Sequence, residues 1–180
     1  MEQEKHEKYE TPGATVIPFP RKDMMATLPS ASSGQEEAGM QYLIGLMYEY
    51  GRGVKPNLAE AVAWYRRAAT AGLAQAQNSL GFLYTLGQGV ARNDEQACKW
   101  FSLAAEQGHA GAQLNLGLLY CSGRGGTMDQ DSGVYWFHEA ARAGSRQARE
   151  LLAQAYEQGW YGLSKNAEQA AYWSDLASYA

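Results

Sequence analysis

The chain has 180 residues, room for one domain with a sizeable core and little for a second. Hydrophobic residues make up 46% and charged residues 19%, with a net charge of -4; this is globular composition without the basic surplus that nucleic acid or an anionic membrane would require. Cys98 and Cys121 have no metal-ligand spacing and are too few for a disulfide scaffold, so they read as free thiols. The charged start "MEQEKHEKYETPG" lacks a signal-peptide core, and no apolar run nears the ~18 residues of a membrane span, so a cytoplasmic protein without membrane insertion is expected.

Residues 1–36 hold Pro12, Pro18, Pro20 and Pro29, mixed charges and "SASSGQEE", with no sustained period, and are expected to be a disordered tail. Within them "TVIPFPRK" groups Val16, Ile17 and Phe19 with backbone-stiffening prolines, a stretch suited to docking on the repeats or to recognition by another protein.

From residue 37 the chain repeats. Gly45, Gly81 and Gly117 are 36 residues apart, as are Tyr48, Tyr84 and Tyr120, then Gly51, Gly87 and Gly123, then Trp64, Trp100 and Trp136. A fourth copy carries Ala153 in the glycine place and Tyr156 in register, and one residue inserted near Trp160–Gly162 moves its tryptophan to Trp173. Repeats at about 39–74, 75–110, 111–146 and 147–180 follow.

Each copy reads as two amphipathic helices, A (Gln75–Leu86, for example) and B (Asp94–Gln107). Asn57, Asn93, Asp129 and Asn166 are the expected N-caps of the B helices. Glu60, Gln96 and Gln169, three positions on, are expected to complete capping boxes. Gly72, Gly108 and Gly144 stop helix B in a left-handed conformation. The intervening "GRGV", "GQGV" and "GRGG" look like phosphate loops but follow a helix and lack Gly-Lys-Ser/Thr, so they are turns in which Gly51 and Gly53 supply positive φ. Gly45 is expected to lie against Ala61, with Ala97, Gly133 and Ala170 in the same role, and the tryptophans to form an inward stripe wedged between helices.

The pattern A-Q-x-x-L-G-x-L-Y-x-x-G-x-G-V-x-x-N-x-x-Q-A-x-x-W-F-x-x-A-A-x-x-G of residues 76–108 resembles the Sel-one-like repeat (SLR), a relative of the tetratricopeptide repeat, over about 142 residues. The resemblance implies an all-α fold: an α/α solenoid of four helix-turn-helix repeats forming a right-handed superhelix. It also implies an adaptor, often bacterial, rather than an enzyme. Gly126 departs from the turn valine, and Ser174 replaces Tyr65, Phe101 and Phe137, as expected of a polar end cap.

No catalytic, cofactor or metal set stands out. "HEAAR" at 138–142 lacks the second histidine of a zinc helix, and His138 shares a solvent-facing register with Arg66 and Ser102. Cys98 shares the register of Val62 and is expected to be buried; Cys121 shares that of Glu49 and Thr85 and is expected to be exposed beside Arg124.

By analogy with tetratricopeptide proteins the A helices line a concave face, and function lies where the copies differ. The expected partner-binding residues are Tyr42, Leu46, Glu49, Tyr50, Asn78, Phe82, Leu86, Leu114 and Leu118, with an acidic end at Glu150 and Glu157. They would hold a peptide segment of a protein partner on a monomeric adaptor. The alternatives are a penicillin-interacting or β-lactamase-like envelope protein, a label carried by cysteine-rich relatives, or a self-assembling structural module.

Overall fold

The computed structural model describes residues 34–179, and the tail expectation lies almost wholly outside them. Among the described residues there are eight helices and no strand: α1 Gly34–Tyr50, α2 Leu58–Thr70, α3 Ala74–Leu86, α4 Asp94–Glu106, α5 Ala110–Ser122, α6 Gln130–Arg142, α7 Arg146–Gln158 and α8 Ala167–Ser178. Odd-numbered helices are the A members of the pairs and even-numbered ones the B members. Each packs chiefly on its neighbours in sequence, which is the order of a stacked solenoid.

The helix ends lie where the local chemistry puts them. Asn57, Asn93, Asp129 and Asn166 each accept a hydrogen bond from a first-turn amide of α2, α4, α6 or α8. The reciprocal half of the capping box does not form. The backbone N–H of each cap residue donates instead to the carbonyl of Tyr48, Tyr84, Tyr120 or Tyr156, at 2.8–3.0 Å, and so satisfies a last-turn oxygen of the preceding helix. At the other end Gly72 has φ +95; its N–H donates to Ala69 and that of Leu73 to Ala68, a Schellman stop that Gly108 and Gly144 repeat.

The apolar core sits between successive pairs. One cluster joins Tyr65, Ala68 and Ala69 of α2 to Ala76, Leu80 and Leu83 of α3; a second joins Phe101, Ala104 and Ala105 of α4 to Ala112, Leu116 and Leu119 of α5; a third joins Phe137, Ala140 and Ala141 of α6 to Ala148 and Leu152 of α7. An isolated pair would therefore leave its largest apolar face in water.

Tyr65, Phe101 and Phe137 are the largest fully buried side chains, and they lie on the recurring glycines. A methyl group on Gly81 would stand 2.8 Å from the Phe101 ring, and one on Gly117 2.6 Å from that of Phe137. The glycine thus makes room for a ring more than for the alanine expected opposite it. Trp64, Trp100 and Trp136 are only half-buried, with Trp100 and Trp136 packed against the core of the preceding pair, so the inward stripe passes through the residue after each tryptophan. Trp173 is the exception at 6% exposed, in the copy where that next residue is Ser174.

Side-chain clamps repeat as well. Gln77 and Gln113 each donate Nε2 to the carbonyl eight residues back, Ala69 and Ala105, at 3.1 and 3.2 Å. Arg149 does so to Ala141 at 3.1 Å and reaches Leu176 O at 2.9 Å. These bonds give a second donor, from the next pair, to last-turn carbonyls of the preceding B helix that already accept from Gly72, Gly108 or Gly144.

Phe101→Ala is expected to cost about 3–5 kcal/mol in urea unfolding, more than Trp100→Ala, and Trp173→Ala to cost more than Trp100→Ala because it is the better buried. Gly81→Ala is expected to lose about 1–3 kcal/mol through overpacking on the Phe101 ring. Equal losses at positions 100 and 101, or a neutral Gly81→Ala, would contradict the ring-on-glycine core.

Candidate protein-binding face

The A helices turn one face to solvent. Tyr50 is 61% exposed, Phe82 49%, Leu86 49% and Leu118 40%. Phe82 and Leu118 share the register of half-buried Leu46, and Leu86 shares that of Tyr50, so these side chains align from pair to pair as one apolar strip. Leu43, 58% exposed, extends the strip and was not among the expected residues; its register is held by Ser79 and Asn115 in the next copies, which hides it from a search for recurring apolar positions. Asn115 Nδ2 donates to Asn78 Oδ1 at 3.3 Å across α5 and α3.

Three expected residues are taken up by packing. Tyr42 is half-buried with its ring 5.3 Å from that of Tyr65. The carboxylate of Glu49 accepts the hydroxyl of Tyr65, and Leu114 lies in the third core cluster. The charge of Glu49 also raises the Tyr50 hydroxyl pKa. At the far end, Glu150 and Glu157 rim a groove between α7 and α8, where Arg146 pairs with Glu150 at 2.9 Å.

The remaining candidates for chemistry resolve into structural parts. Cys121 is buried, and its sulfur fills the space left by Gly133, which stands where other copies have alanine. Burial pushes its thiol up to about 11, the reverse of the exposed thiol expected. Arg124 is engaged elsewhere: it grips Asp94 with two bonds of 2.9 and 3.0 Å and, with Arg92, holds that carboxyl at about 2. Cys98, expected to be buried, is half-exposed. His138 is not solvent-facing; it packs on the Trp173 ring at 5.3 Å and bonds the Tyr156 hydroxyl at 3.2 Å. Arg66 makes the matching contact to the Tyr84 hydroxyl at 3.0 Å, and Arg67 stacks over Trp64. His109 caps α5, its Nδ1 accepting from Ala112 N at 3.1 Å. No cluster of metal-ligating side chains occurs among the described residues, and none of their helices is long and apolar enough to cross a membrane.

Stacked helix pairs with the core between copies and an aligned strip of variable side chains define an α/α repeat scaffold. The Sel1 repeat pattern matches residues 38–73, 74–109, 110–145 and 146–180, and the chain belongs to that family. Two solved structures are similar to it, each over 81% of this chain with a TM-score of 0.75: a Sel1 repeat protein from Oxalobacter formigenes, 34% identical, and a protective antigen of uropathogenic Escherichia coli with an SLR fold, 36% identical. The chain spans 59% of the length of the first and 31% of the second. Cysteine rich protein B of Helicobacter pylori, 19% identical with a TM-score of 0.52, shares the fold over 69% of this chain and all of its own. The comparison with curated proteins finds no match.

Burial lowers the pKa of His109 and His138 below the ordinary 6.5, for His138 with help from Arg142. The unfolded chain then takes up protons first on acidification, so this contribution to stability is complete above about pH 6.5 and is lost as pH falls from there through the folded-state values. The melting temperature is expected to drop between pH 7.5 and 5.5. His109→Ser, which keeps a cap of the kind Ser145 provides for α7, is expected to flatten part of that drop; an unchanged slope would remove His109 from the account.

Proposed function

We propose that the protein is a non-enzymatic adaptor that captures a peptide segment of a protein partner along the A-helix strip of Tyr50, Phe82, Leu86 and Leu118. Sel1 repeat proteins are typically protein-interaction modules, so the general role follows from the family, while the face and the form of the ligand are inferred here. The supporting observation is the strip itself. These side chains are large and apolar, they stay in solvent, and they recur only in part, whereas the recurring residues are spent on packing. Asn78 keeps amide protons and Asn115 a carbonyl lone pair beyond their mutual bond, the groups needed to hold an extended backbone. The same reading takes the chain as a monomer acting in the cytoplasm, where the free thiols Cys98 and Cys121 stay reduced.

Tyr50→Ala with Phe82→Ala is expected to weaken capture of a partner from native lysate by about 2 kcal/mol or more while leaving the melting curve near wild type, since both rings are half-exposed or more. Lys99→Glu on the exposed side of α4 is the matched control; Arg66 and Arg67 are unsuitable because of their contacts with Tyr84 and Trp64. Capture lost in the control and kept in the double variant would move the binding surface to the B helices.

A further inference from the structure

The fourth pair departs from the other three at two facing positions. Ala153 replaces the glycine of Gly45, Gly81 and Gly117, and Ser174 replaces the ring of Tyr65, Phe101 and Phe137. The two changes belong together, because without the ring a methyl group at position 153 has room. What remains is a slot of about 600 Å³ between α7 and α8, floored by Ala153, Ala170 and Ala177 and rimmed by Arg146, Glu150, Gln154 and Glu157. Gln154 holds the register of Phe82 and Leu118, so the slot continues the apolar strip at its last copy. Glu150 pairs with Arg146, and Glu157 has no ion pair among the described residues.

We propose that this slot receives a lysine or arginine side chain of the partner segment that lies along the strip. The inference rests on the binding face proposed above and names the chemistry of what binds there. An alanine floor beneath carboxylates suits an amphipathic side chain: the aliphatic stem lies where the missing ring would be, and the cation stays at the wet rim between Glu150 and Glu157. With Arg146 already paired to Glu150, an acidic side chain would meet the like charge of Glu157 at that rim. The ligand is therefore an extended segment with apolar residues for the strip and a basic residue at a fixed offset toward α8.

A phage library of random octapeptides panned on the full chain tests this, with selected peptides measured by fluorescence polarisation. Selected sequences are expected to carry Lys or Arg at a constant distance from an apolar residue. Lys→Gln in the peptide, or Glu157→Lys in the protein, is expected to weaken binding on the order of fivefold, the scale of a solvent-exposed ion pair. The double variant Ala153→Gly/Ser174→Phe restores the glycine and ring of the other copies and fills the slot. It is expected to keep its helical circular dichroism and its affinity for the apolar part while losing the preference for the basic residue. Selected peptides without a fixed basic position, or equal binding of the Lys and Gln forms, would overturn the slot assignment; if those peptides still require Tyr50 and Phe82, the strip stands. Selection of no peptide that depends on Tyr50 and Phe82 would overturn the strip and the slot together.

Discussion

The contact on which the rest of this structure depends is an aromatic ring laid on a bare stretch of helix. Gly45, Gly81 and Gly117 remove a side chain from the A helix at the one place where Tyr65, Phe101 or Phe137 must enter. The ring then reaches the seam between pairs and forms one wall of the core completed by the next A helix, with Leu80, Leu116 or Leu152 against it. Because each core is shared by two pairs, an isolated pair would leave much of its apolar face uncovered, and the energetics become those of a one-dimensional stack. In the fourth pair both the glycine and the ring are absent, and a slot lies between α7 and α8.

The backbone accounting follows the same period. Tight turns between helices normally leave carbonyls and amides without partners, and here a recurring set of them is paired. The tyrosine carbonyls at the ends of the A helices take the cap N–H groups. The last-turn carbonyls of the first three B helices take Gln77, Gln113 or Arg149 from the next pair. The second glycine of the turn serves between copies too, since a methyl group on Gly125 would stand 2.6 Å from the Asp94 carbonyl of the preceding B helix. Packing and hydrogen bonding thus occupy the recurring residues. What remains free to differ is the solvent face of the A helices, which carries the strip.

The candidate residues for chemistry illustrate the same division. A buried thiol raised to about 11, a histidine used as a helix cap and an aspartate held by two arginines are perturbed groups, and each perturbation has a structural cause in the stacking of pairs. Perturbed ionisation marks functional sites in many proteins, but structural networks produce it as well.

The sequence by itself determined the period, the eight helices, their caps and their stops, because those depend on residues close in the chain: Asn57 and Asn93 beside the amides they cap, Gly72 and Gly108 where the chain must turn left-handed. It also made the aligned exposure of Phe82 and Leu118 legible, since a common register implies a common face. It did not decide between neighbours such as Trp100 and Phe101. They differ by 100° around a helix that buries more than one face, and only the glycine on the facing helix selects the second. Nor did it separate Cys98 from Cys121, whose sulfur is buried against Gly133 on another helix. The reciprocal capping bonds failed for the same reason: a tyrosine carbonyl from the previous helix reached the cap N–H first. Chain-local chemistry was readable from residue order, whereas every outcome set by what the adjoining helix leaves empty or supplies was decided in the tertiary structure.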